Sequence, residues 1–229
     1  MASGQTASVI RRAGSALLDL IYPPRCVLCR RLLAPGQTDL CPDCRNGLTE
    51  CGQTLHGAFF QTCVAPYCYD GALRESLLYY KFHGKQGYAA AYGRLLAPRI
   101  ADALSGQYDL ISWVPVSRKR KRERGYDQAR LLAAATAREL GQPLTRTLKK
   151  VKHNPAQSGL DSAAERRGNV KNAYRPYRQE RFAGKRVLLI DDIVTTGSTL
   201  SECSRVLQTA GAASVVCAAL AAAGKKQSG

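Results

Sequence analysis

The sequence predicts an α/β protein, a mostly parallel sheet flanked by helices, with a small cysteine-rich module ahead of it. One observation is a run of four apolar residues at 187–190 between charged pairs. Such a run is typical of a strand buried on both faces, as in a parallel sheet. A second is the helical spacing of apolar residues from Leu200 to Ala210, which stops at Gly211. The third is a pair of Cys-x-x-Cys motifs near the amino terminus, which predicts a metal-bound module there.

The loop between that strand and that helix has the composition of a phosphate site. It consists of Thr195, Thr196, Gly197, Ser198 and Thr199. A helix N-terminus offers free N–H groups and the positive end of a dipole, glycine allows close backbone approach, and the hydroxyls add donors. An ordinary turn with an N-cap can have the same composition. The loop therefore predicts a monophosphate site only in combination with its neighbours.

Asp191 and Asp192 directly precede the loop. Adjacent carboxylates repel a phosphate, but they suit neighbouring hydroxyls of a ribose or a Mg²⁺ ion bound to them. Phosphate and diol together indicate a phosphoribosyl group. The complete stretch resembles the phosphoribosyl pyrophosphate (PRPP) signature of type I phosphoribosyltransferases: an apolar run, an acidic pair, an apolar pair and Thr-Thr-Gly-Ser-Thr. The resemblance implies the type I phosphoribosyltransferase fold, with Asp191 and Asp192 at the ribose as the candidate catalytic residues and residues 195–199 at the 5′-phosphate.

Charge and composition favour a polyanionic partner. The 229 residues include 34 Lys and Arg against 17 Asp and Glu, a net charge of +17. Such an excess favours nucleic acid, nucleotides or an anionic membrane surface. No stretch approaches the ~20 apolar residues that span a bilayer, and the first residues lack a secretory pattern, so we expect a cytoplasmic protein. In that reducing compartment, nine cysteines favour metal binding over disulfides.

The cysteines fall into two groups within a predicted zinc module at residues 26–68. Two Cys-x-x-Cys pairs predict one structural Zn²⁺, because four thiolates can surround one ion tetrahedrally. These ligands are Cys26, Cys29, Cys41 and Cys44. A second, irregularly spaced group can form another metal site or consist of buried apolar residues, and its spacing leaves both open. Its members are Cys51, His56, Cys63 and Cys68.

Residues 1–25 precede the module, and the phosphoribosyltransferase-like domain follows at residues 69–225. Residues 8–21 have a basic amphipathic helical pattern. Such a helix packs on its own domain, or it binds a membrane surface or a partner protein. In the domain we expect helices at 71–84 and 88–104, a strand at 108–116, a helix capped by Asp127, strands at 144–151 and 173–175, and a polar loop at 153–161 with a short helix at 162–167. That loop is a candidate lid over the reacting ribose.

A run of cations follows the predicted strand at 108–116. Its arginines suit the oxygens of a pyrophosphate, and the run also suits a nucleic-acid strand with a tyrosine for base stacking. The alternative is a solvated charge run without a specific partner. The candidate residues for pyrophosphate or nucleic acid are Lys81, Arg118, Arg120, Arg122, Arg124 and Tyr126.

From Leu17 to about Ala222, the chain resembles the ComF family of competence proteins. The matching stretches, apart from the PRPP signature, begin at Leu20, Tyr80, Arg122, Gln157 and Arg166. The resemblance implies a zinc module before a phosphoribosyltransferase domain, a role in handling single-stranded DNA during natural transformation, and a partner helicase. Lys81 and Arg124 lie in matching motifs. Leu48 and Pro66 stand where relatives have further cysteines, which puts a second zinc site in doubt.

Two functions follow. The first is a competence-type protein that binds PRPP or a related phosphoribosyl ligand with Mg²⁺ and handles single-stranded DNA. The second is a metabolic phosphoribosyltransferase that joins a base or amine to the ribose and releases pyrophosphate. A catalytically inactive binding module is a further possibility, because a fold does not guarantee activity. No residue of the sequence stands out as a general base.

Overall fold

The computed structural model describes residues 23–151 and 172–223, and the chain divides into two units, residues 1–48 and 49–229. The predicted N-terminal helix at 8–21, the polar loop at 153–161 and the short helix at 162–167 lie outside the described residues. In the described part of the chain, no helix is long and apolar enough to cross a membrane.

The first unit is built around tight turns. Arg25 and Leu32 form an antiparallel bridge, and the Arg30 N–H donates to Cys26 O at 2.8 Å to close the turn between the first two cysteines. A short helix α1 (Pro42–Asn46) begins directly after Cys41. Proline is well placed in the first turn of a helix, where its missing N–H costs nothing. Both Cys-x-x-Cys pairs therefore lie on local turns that the chain forms without a large core.

The second unit contains a five-stranded sheet. Its strands, in chain order, are β1 (Glu50–Gly57), β2 (Phe60–Cys68), β3 (Leu110–Trp113), β6 (Arg186–Val194) and β7 (Ser214–Ala222). Their order across the sheet is β1-β2-β7-β6-β3, and only β1 and β2 pair antiparallel. In β7 every residue after Ser214 is buried. This confirms the predicted mostly parallel sheet, whose central strands are apolar on both faces.

Helices accompany the sheet, and all of them except the cation-rich helix at 118–124 follow the apolar periodicity of the sequence. They are α2 (Gly71–Phe82), α3 (Tyr88–Leu104), α4 (Arg118–Arg124), α5 (Gln128–Glu139) and α6 (Ser198–Thr209). Asp127 caps α5, because its Oδ1 accepts the Arg130 N–H at 3.1 Å. Gly93 allows α3 and α5 to pack closely, since a Cβ there would lie 2.6 Å from the Cβ of Ala135. A second, two-stranded antiparallel sheet pairs β4 (Leu148–Lys150) with β5 (Tyr174–Pro176).

Several boundaries differ from the sequence predictions. The strand predicted at 108–116 ends at Trp113, and the cation run after it is the helix α4. Ser117 Oγ caps α4 by accepting the Arg120 N–H at 3.3 Å, and Gly125 ends it with a φ of 81°. The strand predicted at 144–151 is shorter, Leu148–Lys150. The cap of α4 at Ser117 is a local contact, and an apolar strand pattern does not contain that information.

The cysteine-rich segment is also divided differently. Residues 26–68 were predicted as one module, but β1 and β2 pair into the sheet of the second unit, which begins at Thr49. The physical reason is burial: β2 pairs in parallel with β7 and buries Cys63, Val64 and Ala65 completely. The hairpin thus belongs to the larger hydrophobic core.

Candidate functional site

The predicted phosphate loop lies between the end of β6 and the first turn of α6. Gly197 adopts a φ of 71°, the left-handed conformation that glycine tolerates best, and α6 begins at the next residue. The hydroxyls of Thr196 and Ser198 are 2.8 Å apart, and Thr195 and Thr196 are exposed. Free N–H groups and hydroxyl donors therefore gather at one helix N-terminus, as phosphate binding requires.

The acidic pair lies at the end of β6, and a lysine from another element joins it. Lys81, near the end of α2, places its Nζ 2.9 Å from Asp192 Oδ2, and only 7% of the Asp192 side chain is exposed. Burial raises the pKa of Asp191 well above its ordinary value, and the charge of Asp192 raises it further. Burial opposes ionisation of Asp192 as well, but the Lys81 ammonium outweighs it and lowers the pKa of Asp192. Lys81 and Asp192 therefore form an ion pair, and the pKa values of the two neighbouring carboxyls shift in opposite directions.

The arginines of α4 differ in exposure. Arg118 and Arg122 are exposed, whereas Arg120 and Arg124 are half-buried. Arg124 lies 5.0 Å from the centre of the Phe82 ring, and its charge helps to lower the pKa of Asp192. The structure therefore brings Lys81 and Arg124 to the acidic pair, while the outer arginines of α4 face solvent.

The structure contradicts the predicted role of Tyr126 as a stacking residue. It was predicted to stack on a base, but only 5% of it is exposed. Its ring packs 5.7 Å from the ring of Tyr80, centre to centre. The reason is its place between the end of α4 at Gly125 and the cap of α5 at Asp127, which turns the side chain into the interior. Tyr126 is a core residue and cannot serve as a stacking surface.

Lys150 is a site residue that sequence reasoning missed. Its Nζ lies 5.0 Å from the centre of the Tyr174 ring, its partner across the β4–β5 pair. Burial lowers the pKa of Lys150, the charge of Arg120 lowers it further, and the nearby Asp191 opposes both. The sequence contained two adjacent lysines in a short strand, and the structure shows that Lys149 is exposed whereas Lys150 is half-buried opposite Tyr174.

The first cysteine group fits a zinc ion. The four sulfurs of Cys26, Cys29, Cys41 and Cys44 all lie within 4.8 Å of one another, and those of Cys29 and Cys41 are 3.7 Å apart. Tetrahedral Zn²⁺ with bonds of about 2.3 Å separates its sulfurs by about 3.8 Å. Burial opposes ionisation of Cys26, but backbone N–H groups lower its pKa to about 7. The group has the geometry of a closed structural site.

The second cysteine group contradicts both a further metal site and the expectation that the chain forms no disulfide. Cys51 and Cys68 form a disulfide, and Cys63 is completely buried in the sheet. His56 lies at the far end of β1, where its Nδ1–H donates to Gln61 O at 2.7 Å. Among the described residues, the first group is the one set of cysteines, histidines and acidic residues whose ligand atoms could hold an ion. The β1–β2 hairpin places Cys63 inside the sheet and His56 at the far end of β1, so they do not gather with Cys51 and Cys68 around one point.

The fold and the four-cysteine cluster define the class: a zinc-ribbon protein with a type I phosphoribosyltransferase domain. Family models agree, because that of the phosphoribosyl transferase domain matches residues 127–228 and that of the double zinc ribbon domain matches residues 17–70.

The curated relatives identify the family. Competence protein F of Haemophilus influenzae is 32% identical over 82% of this chain and 92% of its own length. DNA utilization protein YhgH of Escherichia coli K12 is 32% identical over 86% of this chain and 96% of its own. Competence protein ComFC of Bacillus subtilis is 27% identical over 83% and 74%. The chain belongs to the ComF family.

Proposed function

We propose that the domain binds PRPP or a related phosphoribosyl ligand with Mg²⁺, and that the protein handles single-stranded DNA during natural transformation. The observation that carries the first part is the acidic pair beside the phosphate loop, with Lys81 at 2.9 Å from Asp192. A monophosphate fits the loop of residues 195–199, and ribose hydroxyls fit Asp191 and Asp192. The loop and the pair are neighbours in the chain, as the phosphate and the diol are on one phosphoribosyl group.

The charges around the pair support a pyrophosphate on the same ligand. Lys81 and Arg124 are partly buried beside Asp192, where cations act more strongly than in water. The charges of Arg120 and Asp191 both act on Lys150, in opposite directions. Asp191 and Asp192 would hold Mg²⁺ together with the ligand, and the ion would offset the charge of the pyrophosphate. The site combines four cations with an acidic pair, which suits a polyanion that also carries a diol.

If transfer occurs, the residues of this chain act through positioning and electrostatics. The lone pair of an acceptor forms a bond to C1 of the ribose, the bond from C1 to the pyrophosphate oxygen breaks, and the pyrophosphate leaves with that electron pair. Lys81 and Arg124 stabilise the charge that grows on the leaving group. The described residues contain no assigned general base for the acceptor. The metabolic transferase therefore ranks second, and the names of the competence and DNA utilization relatives favour DNA handling.

The net charge of +17 and the exposed arginines of α4 support the nucleic-acid part of the proposal. Exposed cations bind the phosphates of a single strand with little sequence preference and with strong salt dependence. A cytoplasmic protein that meets incoming DNA together with a helicase fits this chemistry.

The test is calorimetric titration of PRPP with Mg²⁺ into the wild type and into Asp191→Asn/Asp192→Asn, with and without a single-stranded oligonucleotide. We expect saturable binding to the wild type and its loss in the double variant, because the diol and the ion lose their carboxylates. Asp102→Asn, an exposed carboxylate on α3, is the control for a change of charge and should bind as the wild type does.

Equal binding by the double variant would refute the phosphoribosyl site. Oligonucleotide binding should weaken as salt is added. A wild type that binds PRPP but no oligonucleotide at low salt would refute the DNA part and leave the metabolic transferase.

A further inference from the structure

A cavity of about 380 Å³ lies on the outer side of the phosphate loop. One wall is the tip of the β1–β2 hairpin, from His56 to Phe60, and the other is the start of α6 with Ser201 and Arg205. Thr196, Gly197 and Ser198 line it, whereas Asp191 and Asp192 do not. The phosphate loop therefore has the acidic pair on one side and an open cavity on the other.

The hairpin wall is fixed in place. Phe60 is 4% exposed, and a Cβ at Gly197 would lie 3.6 Å from its ring, so the ring packs directly on the phosphate loop. A Cβ at Gly57 would overlap the same ring, which explains the glycine at the tip. The hydrogen bond from His56 to Gln61 O holds the turn from the other side. The cavity is thus formed before any ligand binds, which lowers the cost of binding.

The lining suits a flat aromatic group next to a phosphate. Phe59 is 38% exposed at the hairpin tip, although large apolar side chains favour burial. Because Nδ1 of His56 is used within the turn, its Nε2 remains to contact a ligand. Arg205 is held by Glu202 through contacts of 2.8 and 2.9 Å, which orients its planar guanidinium. The volume falls in the range of small-ligand sites, about 300 to 1,000 Å³.

We propose that this cavity binds a nucleobase of single-stranded DNA, the base on the 5′ side of a phosphate that rests on the loop of residues 195–199. The site then accepts an internal phosphodiester, with one nucleoside toward the acidic pair and the preceding base against Phe59. A site for a terminal phosphate needs no space beyond the phosphate, whereas a strand that continues needs such a cavity. The inference rests on the proposed function, since it uses the same phosphate loop, and it places DNA and PRPP in competition for that loop.

The test measures a fluorescein-labelled single-stranded oligothymidylate by anisotropy with the wild type, Phe59→Ala and Phe59→Tyr. Stacking of a base on an aromatic ring contributes about 5- to 150-fold in affinity, so Phe59→Ala should weaken binding about fivefold or more. Phe59→Tyr keeps the stacking surface and should stay within about twofold of the wild type. PRPP with Mg²⁺ should displace the oligonucleotide from the wild type, and its own affinity should be the same in all three proteins because Phe59 lies away from the acidic pair.

Unchanged oligonucleotide binding by Phe59→Ala would overturn the proposal, as would an equal loss in Phe59→Tyr. If Phe59→Ala does not fold, Ser201→Trp replaces it: a bulky ring on α6 fills the cavity and should weaken the oligonucleotide by a similar factor. Failure of the proposed function gives a different result. In that case PRPP does not bind the wild type, while the Phe59 variants still show whether the cavity contributes to oligonucleotide binding.

Discussion

The two halves of the cysteine-rich segment are stabilised in different ways. Residues 25–46 bring four thiols within 4.8 Å of one another, and their regular structure is a five-residue helix and one bridge. Residues 50–68 form a hairpin that pairs with β7 and contributes Phe60, Cys63 and Ala65 to the main core. A short segment without a core of its own needs a metal ion, whereas a segment that joins a sheet does not.

The difference also changes what the second half can do. Its strand ends are joined by the Cys51–Cys68 disulfide, and its opposite end, the hairpin tip, packs on the phosphate loop through Phe60. A zinc-bound knuckle there would be a separate module. The hairpin is instead a wall of the proposed ligand site. The same hairpin, residues 50–68, is therefore both the disulfide-bonded segment and a wall of the proposed ligand site.

The largest expected effect is on the first half. Cys26→Ser removes one of four thiolates, and structural zinc in such modules contributes about 10–16 kcal/mol. We expect the zinc content to fall from one ion per chain to near zero, and the segment around residues 26–44 to become sensitive to protease. Elemental analysis of the purified protein measures the first effect and limited proteolysis the second. A variant that keeps its full zinc content would show that Cys26 is not a ligand.

A smaller effect is expected on the second half. Cys51→Ser/Cys68→Ser removes a disulfide between residues 17 apart, which lowers the free energy of unfolding by about 3 kcal/mol under oxidising conditions. In a reducing agent, the wild type and the variant should become nearly equally stable. Urea unfolding with and without the reductant measures this.

Zinc content distinguishes between a disulfide and a second zinc site in residues 50–68. It should stay at one ion per chain in Cys51→Ser/Cys68→Ser, and the single change Cys26→Ser is the matched comparison. A wild type with two ions per chain, one of them lost in the double variant, would contradict the difference drawn between the halves.

The sequence predicted the first half better than the second for a physical reason. A Cys-x-x-Cys pair is local, so its spacing alone places two thiolates around one ion. The same holds for the phosphoribosyl signature, since the strand β6, the loop and α6 are consecutive, and its site residues remain a prediction. Leu48 and Pro66, which stand where relatives have further cysteines, put a second zinc site in doubt from the sequence alone.

The sequence does not show how segments that are far apart in the chain pair and pack with one another. Cys51 and Cys68 meet because β1 pairs with β2, with Glu50 opposite Tyr67, and irregular spacing along the chain gave no sign of it. Lys150 lies opposite Tyr174 only because β4 pairs with β5. Burial of Tyr126 depends in the same way on packing against Tyr80 from α2. Such contacts between segments far apart in sequence require the fold.

The smallest expected effect tests the third cysteine of the second half. Cys63 is fully buried, it pairs with Cys217 of β7 in the sheet register, and burial raises the pKa of its thiol to about 12. It therefore behaves as a small apolar residue, and not as a thiolate ligand. Cys63→Ala should lower the free energy of unfolding by about 1 kcal/mol through the small cavity it leaves, with zinc content unchanged. Urea unfolding and elemental analysis on one preparation measure both. Loss of zinc in Cys63→Ala would assign the hairpin to a metal site and remove the difference between the two halves.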